Sequence, residues 1–171
     1  PLNVYGSSKL AGEAAIQAAG GPHAILRTSW VFAAHGANFV RTMLRLGAER
    51  DRLSVVDDQR GGPTWAGHVA DAVIAVAAAL AAGRGTSGVF HFAGAPTASW
   101  RDLAEAVFAR ADWLPGPSIT PVRTEDWPTP AARPLWSALD CARIGGAYGL
   151  AQPDWRTGLD AVIAELRETG R

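Results

Sequence analysis

Short apolar runs alternate with longer helical patterns along this sequence, and the alternation restricts the fold more than any other pattern does. Strands that alternate with helices are typical of α/β units with a parallel sheet. The predicted strands span residues 23–32, 53–56, 88–93 and 119–122. The predicted helices span residues 7–19, 37–48, 66–82 and 100–111, followed by a short helix that ends near Gly145 and a terminal helix opened by Pro153, Asp154 and Trp155.

The composition indicates one globular domain and excludes several classes of protein. The 171 residues have a net charge of zero and are 48% hydrophobic, which is sufficient for a real core. The balanced charge argues against nucleic-acid and membrane-surface proteins, and no apolar run is long enough to span a bilayer. A single cysteine, Cys141, excludes an intramolecular disulfide and fits a reducing compartment, so we expect a cytoplasmic protein. The four histidines lack metal-ligand spacing, and no metal ligand is predicted.

The first helix carries a tyrosine and a lysine four residues apart, Tyr5 and Lys9. Side chains at this spacing share one helix face and can interact. A nearby ammonium group favours the phenolate form of a phenol, which can then exchange a proton with a carbonyl or an alcohol near neutral pH. Such a pair also occurs by chance on many helix surfaces, so only its combination with other motifs makes it a candidate catalytic pair.

A glycine-rich segment, residues 83–88, matches the Gly-x-Gly-x-x-Gly pattern of dinucleotide-binding loops. Phosphate binding requires the order strand, glycines, helix, because the helix N-terminus holds the pyrophosphate. Here a predicted helix precedes the glycines and a predicted strand follows them. The segment is therefore predicted to be a turn.

Two sets of charged residues are weaker candidates for catalytic or binding residues. Asp57 and Asp58 are adjacent on an extended segment, so their side chains point to opposite sides and form a poor acid/base pair. Arg41, Arg45 and Arg52 form a row beside the second helix. The row fits either a solvated face or a contact with a diphosphate, and the sequence leaves both open.

Several motifs, in this order along nearly the whole chain, resemble the dTDP-4-dehydrorhamnose reductases, a family of extended short-chain dehydrogenases/reductases. The motifs are Asn-Val-Tyr-Gly at 3–6, Ser-Lys-Leu-x-Gly-Glu at 8–13, Leu-Arg-Thr-Ser-Trp-Val-Phe at 26–32, Gly-x-Asn-Phe at 36–39, Thr-Met-Leu at 42–44, Val-Val-Asp-Asp-Gln-x-Gly-x-Pro-Thr at 55–64, Phe-His-Phe-Ala-Gly at 90–94 and Pro-Thr-Pro-Ala-x-Arg-Pro at 128–134. The match corresponds to the later half of the family's chain.

The resemblance implies a reaction and a set of roles. NADPH or NADH would reduce the 4-keto group of dTDP-4-dehydro-L-rhamnose to give dTDP-L-rhamnose. Tyr5 matches the proton donor, and Lys9 matches the lysine that holds the nicotinamide ribose and tunes the tyrosine. Thr28 and Ser29 would border the nicotinamide. The substrate contacts implied are Trp30 on the deoxysugar ring and, along the nucleotide-sugar pocket, Asn38, Gln59, Pro63 and Arg133.

The same resemblance implies the architecture. Residues 1–56 would be the end of a Rossmann-like doubly wound sheet, and residues 57–171 would be mostly a small α/β sugar-nucleotide-binding subdomain interleaved with that sheet. The chain opens at Pro1 without an initiator methionine, so we expect the N-terminal dinucleotide-binding half to be absent. We therefore expect the isolated chain to be inactive and the strand at residues 24–29 to have an unpaired apolar edge.

The chain departs from the family pattern at one position. Trp136 stands where the family has an asparagine, and an indole cannot reproduce the hydrogen bonds of an amide. The family also uses magnesium at a subunit contact, which would fit a homodimer of the full-length parent, but no metal ligand can be matched here.

Two alternatives remain at this stage. An epimerase or dehydratase of the same extended family would return the hydride to its substrate and consume no net cofactor. A non-catalytic regulatory subunit of methionine adenosyltransferase would bind cofactor without reduction, although the intact Tyr5 and Lys9 pair argues against it.

Overall fold

The computed structural model describes residues 1–169 and confirms an α/β fold with mostly parallel strand pairs. The helices are α1 (Val4–Ala19), α2 (Phe39–Glu49), α3 (Ala66–Ala81), α4 (Trp100–Phe108), α5 (Ala142–Tyr148) and α6 (Trp155–Thr169), with a 3-10 turn at Thr124–Asp126. The strands are β1 (Ala24–Arg27), β2 (Val31–Phe32), β3 (Arg52–Val56), β4 (Arg60–Gly61), β5 (Thr64–Trp65), β6 (Gly88–His91), β7 (Ala98–Ser99), β8 (Ser118–Val122) and β9 (Trp136–Ser137).

Polar side chains set where the helices begin. Asn3 caps α1 by accepting a hydrogen bond from the amide of Gly6, and Asn38 caps α2 through the amide of Arg41. Ser99 and Asp102 form a reciprocal capping box at the start of α4. These caps satisfy backbone donors that have no partner within the helix, and they fix the residue at which each helix starts.

The sheets are small and are connected by crossovers. β1 pairs in parallel with β6, β2 with β5, and β3 with β8, whereas β4 lies between antiparallel β7 and parallel β9. In the described part of the chain, β1 is hydrogen-bonded to β6 alone. The unpaired second edge expected for this strand is therefore present.

The single strand predicted over residues 23–32 is wrong, because the chain breaks between β1 and β2. Trp30 has a φ of 48°, in the left-handed region that side chains rarely adopt. This turn directs β2 into a separate sheet, where it pairs with β5. Periodicity could not show the break, because the residues on both sides of it are apolar enough for one strand.

Other boundaries also differ from the predictions. The loop predicted over residues 57–64 contains β4 and the start of β5, and both are two-residue strands too short to leave a periodic signal. Helix α4 ends at Phe108 rather than near 111, and α5 continues past Gly145 to Tyr148. The glycine-rich segment at 83–88 does lie between α3 and β6, so the turn prediction is confirmed.

Two buried clusters form the core. The larger cluster packs α2, α4 and α6 around β3, with Val40, Leu103 and Leu159 among its fully buried side chains. The smaller cluster joins α3 and α5 to β6 through Phe90 and Ile144. Helix α1 buries none of its residues. Among residues 1–169, no helix combines the length and the apolarity needed to cross a bilayer.

Candidate active site and nucleotide groove

Helix α1 presents the predicted catalytic pair on an open face. The Lys9 Nζ atom lies 5.4 Å from the centroid of the Tyr5 ring, so the i, i+4 spacing brings the two groups together as predicted. The Tyr5 side chain is 71% exposed. A reacting carbonyl group could therefore approach the phenol directly.

The segment after β1 carries the residues expected beside a nicotinamide. Thr28 is exposed. Ser29 is half-buried, and its Oγ atom donates to the carbonyl of Gly62 at 2.9 Å. The carbonyl of Trp30 accepts from the amide of Thr64 at 3.1 Å. These two bonds tie the break after β1 to the loop that contains Pro63, and they hold the break in a fixed shape.

The Trp30 indole has an aromatic neighbour that the sequence did not reveal. Its ring stacks on that of Trp100, with centroids 3.6 Å apart and planes 7° apart. The indole also lies so close to Gly61 that a Cβ atom at that position would come within 2.4 Å of Trp30 Cε2. One face of Trp30 is therefore covered by Trp100, and a sugar ring could stack on the other face only.

Gln59 is 7% exposed, and its amide is bonded to the protein itself. Its Oε1 atom accepts from the indole N–H of Trp100 at 3.0 Å, and its Nε2 atom donates to Thr124 Oγ1 at 3.1 Å. The Thr124 hydroxyl donates in turn to Asp58 at 2.6 Å. This hydrogen bond is the main reason why the pKa of Asp58 lies below its usual range. Gln59 therefore fixes the position of Trp100.

Asn38 and Pro63 are structural in this arrangement. The Asn38 amide caps α2 and also donates to the carbonyl of Ala33 at 2.8 Å, so its polar atoms face the protein. Pro63 is fully buried. A direct substrate contact from either side chain would require these interactions to open, whereas both shape the loops around the site.

The two adjacent aspartates behave as predicted. Asp57 accepts from the Ser99 hydroxyl at 2.7 Å and lies 3.4 Å from Arg101, whereas Asp58 bonds to Thr124. Their side chains have different partners, so they do not form an acid/base pair.

A groove of about 640 Å³ lies between α2, β3 and the segment at residues 127–133. The charged residues in its lining are Arg50, Arg52 and Arg133, and no carboxylate lines it among the residues that the structure describes. Guanidinium groups pair well with diphosphate oxygens because two N–H donors can bond at once. The groove can therefore hold an anionic ligand of nucleotide size.

Aromatic side chains contribute to the apolar lining of the groove, together with aliphatic side chains of α2 and β3. Phe39, Trp100 and Trp127 line it, and Trp127 is half exposed. Flat aromatic faces of this kind suit a base or a sugar ring. Of the arginine row predicted from sequence, Arg52 reaches the groove, whereas Arg41 donates to the carbonyl of Ala34 and Arg45 pairs with Glu49.

The structure brings only some of the predicted residues together. Gln59 and Arg133 lie in the groove wall, while the residues of α1 and of the break after β1 lie outside it. Sequence reasoning missed Arg50, Trp100 and Trp127. Trp127 could have been identified from the sequence, because it directly precedes the Pro-Thr-Pro-Ala-x-Arg-Pro motif at 128–134.

The fit to a nicotinamide cofactor is partial. The exposed Tyr5, Lys9 and Thr28 could border a nicotinamide and its ribose, whereas the glycine-rich segment at 83–88 has the wrong order for a pyrophosphate. For magnesium, residues 1–169 contain no group of three or more histidine, cysteine or acidic side chains that could hold a metal ion. The magnesium implied by the resemblance is not supported.

Comparison with known proteins shows the family of the chain. Residues 1–168 match a protein family described as "RmlD substrate binding domain". A dTDP-4-dehydrorhamnose reductase from Burkholderia thailandensis is 43% identical over 176 residues, which cover 97% of this chain and 59% of that protein. The corresponding enzyme from Escherichia coli K12 is 40% identical and is covered to 58%.

Solved structures support the same grouping. A dTDP-4-dehydrorhamnose reductase ortholog from Clostridium acetobutylicum superposes with a TM-score of 0.89 at 34% identity, over 98% of this chain and 57% of that one. The reductase from Bacillus anthracis in complex with NADP gives a TM-score of 0.86 at 34% identity, over 96% and 56%. The chain thus has the fold of a part of these Rossmann-like enzymes, and it spans somewhat more than half of their length.

Proposed function

The chain belongs to the RmlD substrate binding domain family, and we propose that it supplies the catalytic pair and the nucleotide-sugar groove of a dTDP-4-dehydrorhamnose reductase. The reaction is the reduction of the 4-keto group of dTDP-4-dehydro-L-rhamnose to the alcohol of dTDP-L-rhamnose. The observation that carries the proposal is the placement of Lys9 5.4 Å from the ring of an exposed Tyr5. The relatives that carry reductase names support it.

The residues of α1 perform the proton chemistry. A nicotinamide, when bound in its reduced form, supplies the hydride that the carbonyl carbon receives. The Tyr5 hydroxyl donates its proton to the carbonyl oxygen, so that the product leaves as a neutral alcohol. Lys9, with its ammonium beside the phenol, stabilises the phenolate that remains. The Thr28 hydroxyl, exposed where β1 ends, and the Ser29 backbone border the reacting ring.

The groove binds the rest of the substrate. Arg52 and Arg133 pair with the diphosphate, and the half-exposed Trp127 indole packs on a flat apolar part of the ligand. Trp100 is stacked on Trp30 and packs on Phe39, and Gln59 holds its indole N–H, so it is a fixed part of the groove wall. Trp30 contacts the deoxysugar with the face that Trp100 leaves open.

The experiment is a turnover assay with the full-length protein, NADPH and dTDP-4-dehydro-L-rhamnose. We expect one NADPH oxidised for each dTDP-L-rhamnose formed. Formation of an epimer or dehydrated sugar without loss of NADPH would contradict the proposal and indicate a different enzyme of the same extended family. Absence of any turnover, combined with capture of methionine adenosyltransferase, would indicate a regulatory subunit.

Three further expectations belong to the same proposal. The enzyme works in the cytoplasm, where its nucleotide-sugar substrate and nicotinamide cofactor are available. The full-length parent forms a homodimer. The 171-residue chain by itself is inactive, and calorimetry with NADPH would contradict this if it gave tight binding.

A further inference from the structure

Helix α1 carries the proposed proton donor, yet none of its side chains is buried within residues 1–169. Within residues 1–169, two hydrogen-bonded side-chain contacts connect the helix and its N-cap with the rest of the chain. At its start, the Asn3 amide donates to the carbonyl of Ala132 at 3.2 Å. Two turns beyond Tyr5, Glu13 contacts Arg27, the last residue of β1.

The contact between Glu13 and Arg27 is a bidentate ion pair. Arg27 Nε donates to Glu13 Oε1 at 2.8 Å, and Arg27 Nη2 donates to Oε2 at 2.5 Å. The Glu13 side chain is only 15% exposed, although it sits on an otherwise open helix. Paired donors on one carboxylate fix direction as well as distance. The hydrogen bond from Arg27 also holds the pKa of Glu13 below its usual range, so the carboxylate is charged at neutral pH.

The ion pair joins the two parts of the proposed active site. Residues four apart advance by about 40° around a helix, so Tyr5, Lys9 and Glu13 follow one gently turning stripe of α1. Arg27 directly precedes Thr28, where the nicotinamide-side segment begins. A shift of Glu13 relative to Arg27 would therefore move the phenol relative to that segment.

We propose that Glu13 and Arg27 act as a positioning pair, which sets the catalytic helix α1 at its working distance from the end of β1. This inference rests on the proposed reductase function. The pair does not touch the reacting atoms, and it acts through Tyr5 and Lys9. The groove residues lie on other elements, so we expect the pair to affect the chemical step far more than substrate binding.

The test uses the full-length protein with the variants Glu13→Gln, Arg27→Gln and the double variant. We expect each single variant to lower kcat by about 10- to 100-fold, because small misplacements of reacting groups cost that much. The KM for dTDP-4-dehydro-L-rhamnose should stay within about twofold, since the groove is intact. The double variant should be no slower than either single variant, because a broken pair cannot be broken twice.

The matched control is Asp160→Asn, which removes a carboxylate from another arginine pair, with Arg110, on a helix that carries no site residue. It should leave kcat unchanged. Glu13→Asp keeps the charge and shortens the side chain, so its kcat should lie between that of the unmodified protein and that expected for Glu13→Gln. It is the test variant to use if Glu13→Gln fails to fold. Unchanged kcat in the Glu13 and Arg27 variants, or additive losses in the double variant, would overturn the inference.

Hydrogen exchange separates failure of this inference from failure of the proposed function. If the unmodified protein shows no reductase activity, the proposed function fails, but exchange of the α1 amides can still be measured. The positioning pair predicts at least about tenfold faster exchange across α1 in Glu13→Gln than in Asp160→Asn. Equal exchange in both variants would overturn it.

Discussion

Gly61 is packed against the Trp30 indole, and replacing it with alanine tests how the Trp30 and Trp100 stack is held. The new Cβ atom would come within 2.4 Å of Trp30 Cε2, 2.6 Å of Trp30 Nε1 and 2.8 Å of Ser137 Oγ. Such distances are too short for any real contact, so the Trp30 indole must move. Its backbone is held at a φ of 48° and its ring is stacked on Trp100, so it has little freedom to do so.

The cost follows from two effects. Inserting a carbon into a packed site costs about 1–3 kcal/mol. Separating a stacked aromatic pair costs about 0.5–1.5 kcal/mol more. We therefore expect Gly61→Ala to lower the free energy of unfolding by roughly 2–4 kcal/mol. With a urea dependence of about 2 kcal/mol per molar, the unfolding midpoint falls by about 1–2 M.

The assay is urea unfolding of the full-length protein, combined with far-ultraviolet circular dichroism of the folded state. Closely stacked indoles give an exciton couplet in that spectrum, and the couplet should weaken in Gly61→Ala. The matched control is Gly146→Ala in α5, where nothing lies within 4 Å of the added carbon. The control should stabilise the protein by about 0.5–1 kcal/mol, because glycine is a poor helix former. An unchanged midpoint and couplet in Gly61→Ala would refute the reasoning.

Two more predictions concern charge. The lowered folded-state pKa of Asp58 contributes stability that is fully present above its unfolded pKa of about 3.8 and is lost as pH falls through the folded value. Thr124→Val removes the main hydrogen bond and should flatten this acid dependence, as measured by unfolding between pH 5 and pH 2; an unchanged slope would contradict it. Arg52→Ala and Arg133→Ala should each weaken binding of dTDP about tenfold by calorimetry, whereas Arg45→Ala should not, and equal affinity in all three would contradict the groove assignment.

The sequence allowed the fold class and the proximity of Tyr5 and Lys9 to be predicted because both depend on local patterns. Apolar periodicity located the main helices and the strands β3, β6 and β8. The spacing of Tyr5 and Lys9 determines their relative position on any helix, and the structure shows that position.

The features that could not be predicted depend on contacts distant in sequence. The break at Trp30 is fixed by bonds to residues 62 and 64, more than thirty positions away. Gln59 resembled a substrate ligand until its amide proved to be bonded to Trp100 and Thr124. Arg50, Arg52 and Arg133 line one groove although Arg133 lies more than eighty positions after Arg52 in the sequence, and periodicity alone does not specify such a contact.

Replacement of a single oxygen atom tests the central claim most directly. In the full-length protein, Tyr5→Phe keeps the ring beside Lys9 but removes the hydroxyl proposed to protonate the keto oxygen. We expect kcat for NADPH-dependent reduction of dTDP-4-dehydro-L-rhamnose to fall by about 10²- to 10⁴-fold, with binding of the nucleotide sugar unchanged. A Tyr5→Phe variant that reduces this substrate at the rate of the unmodified protein would contradict the account.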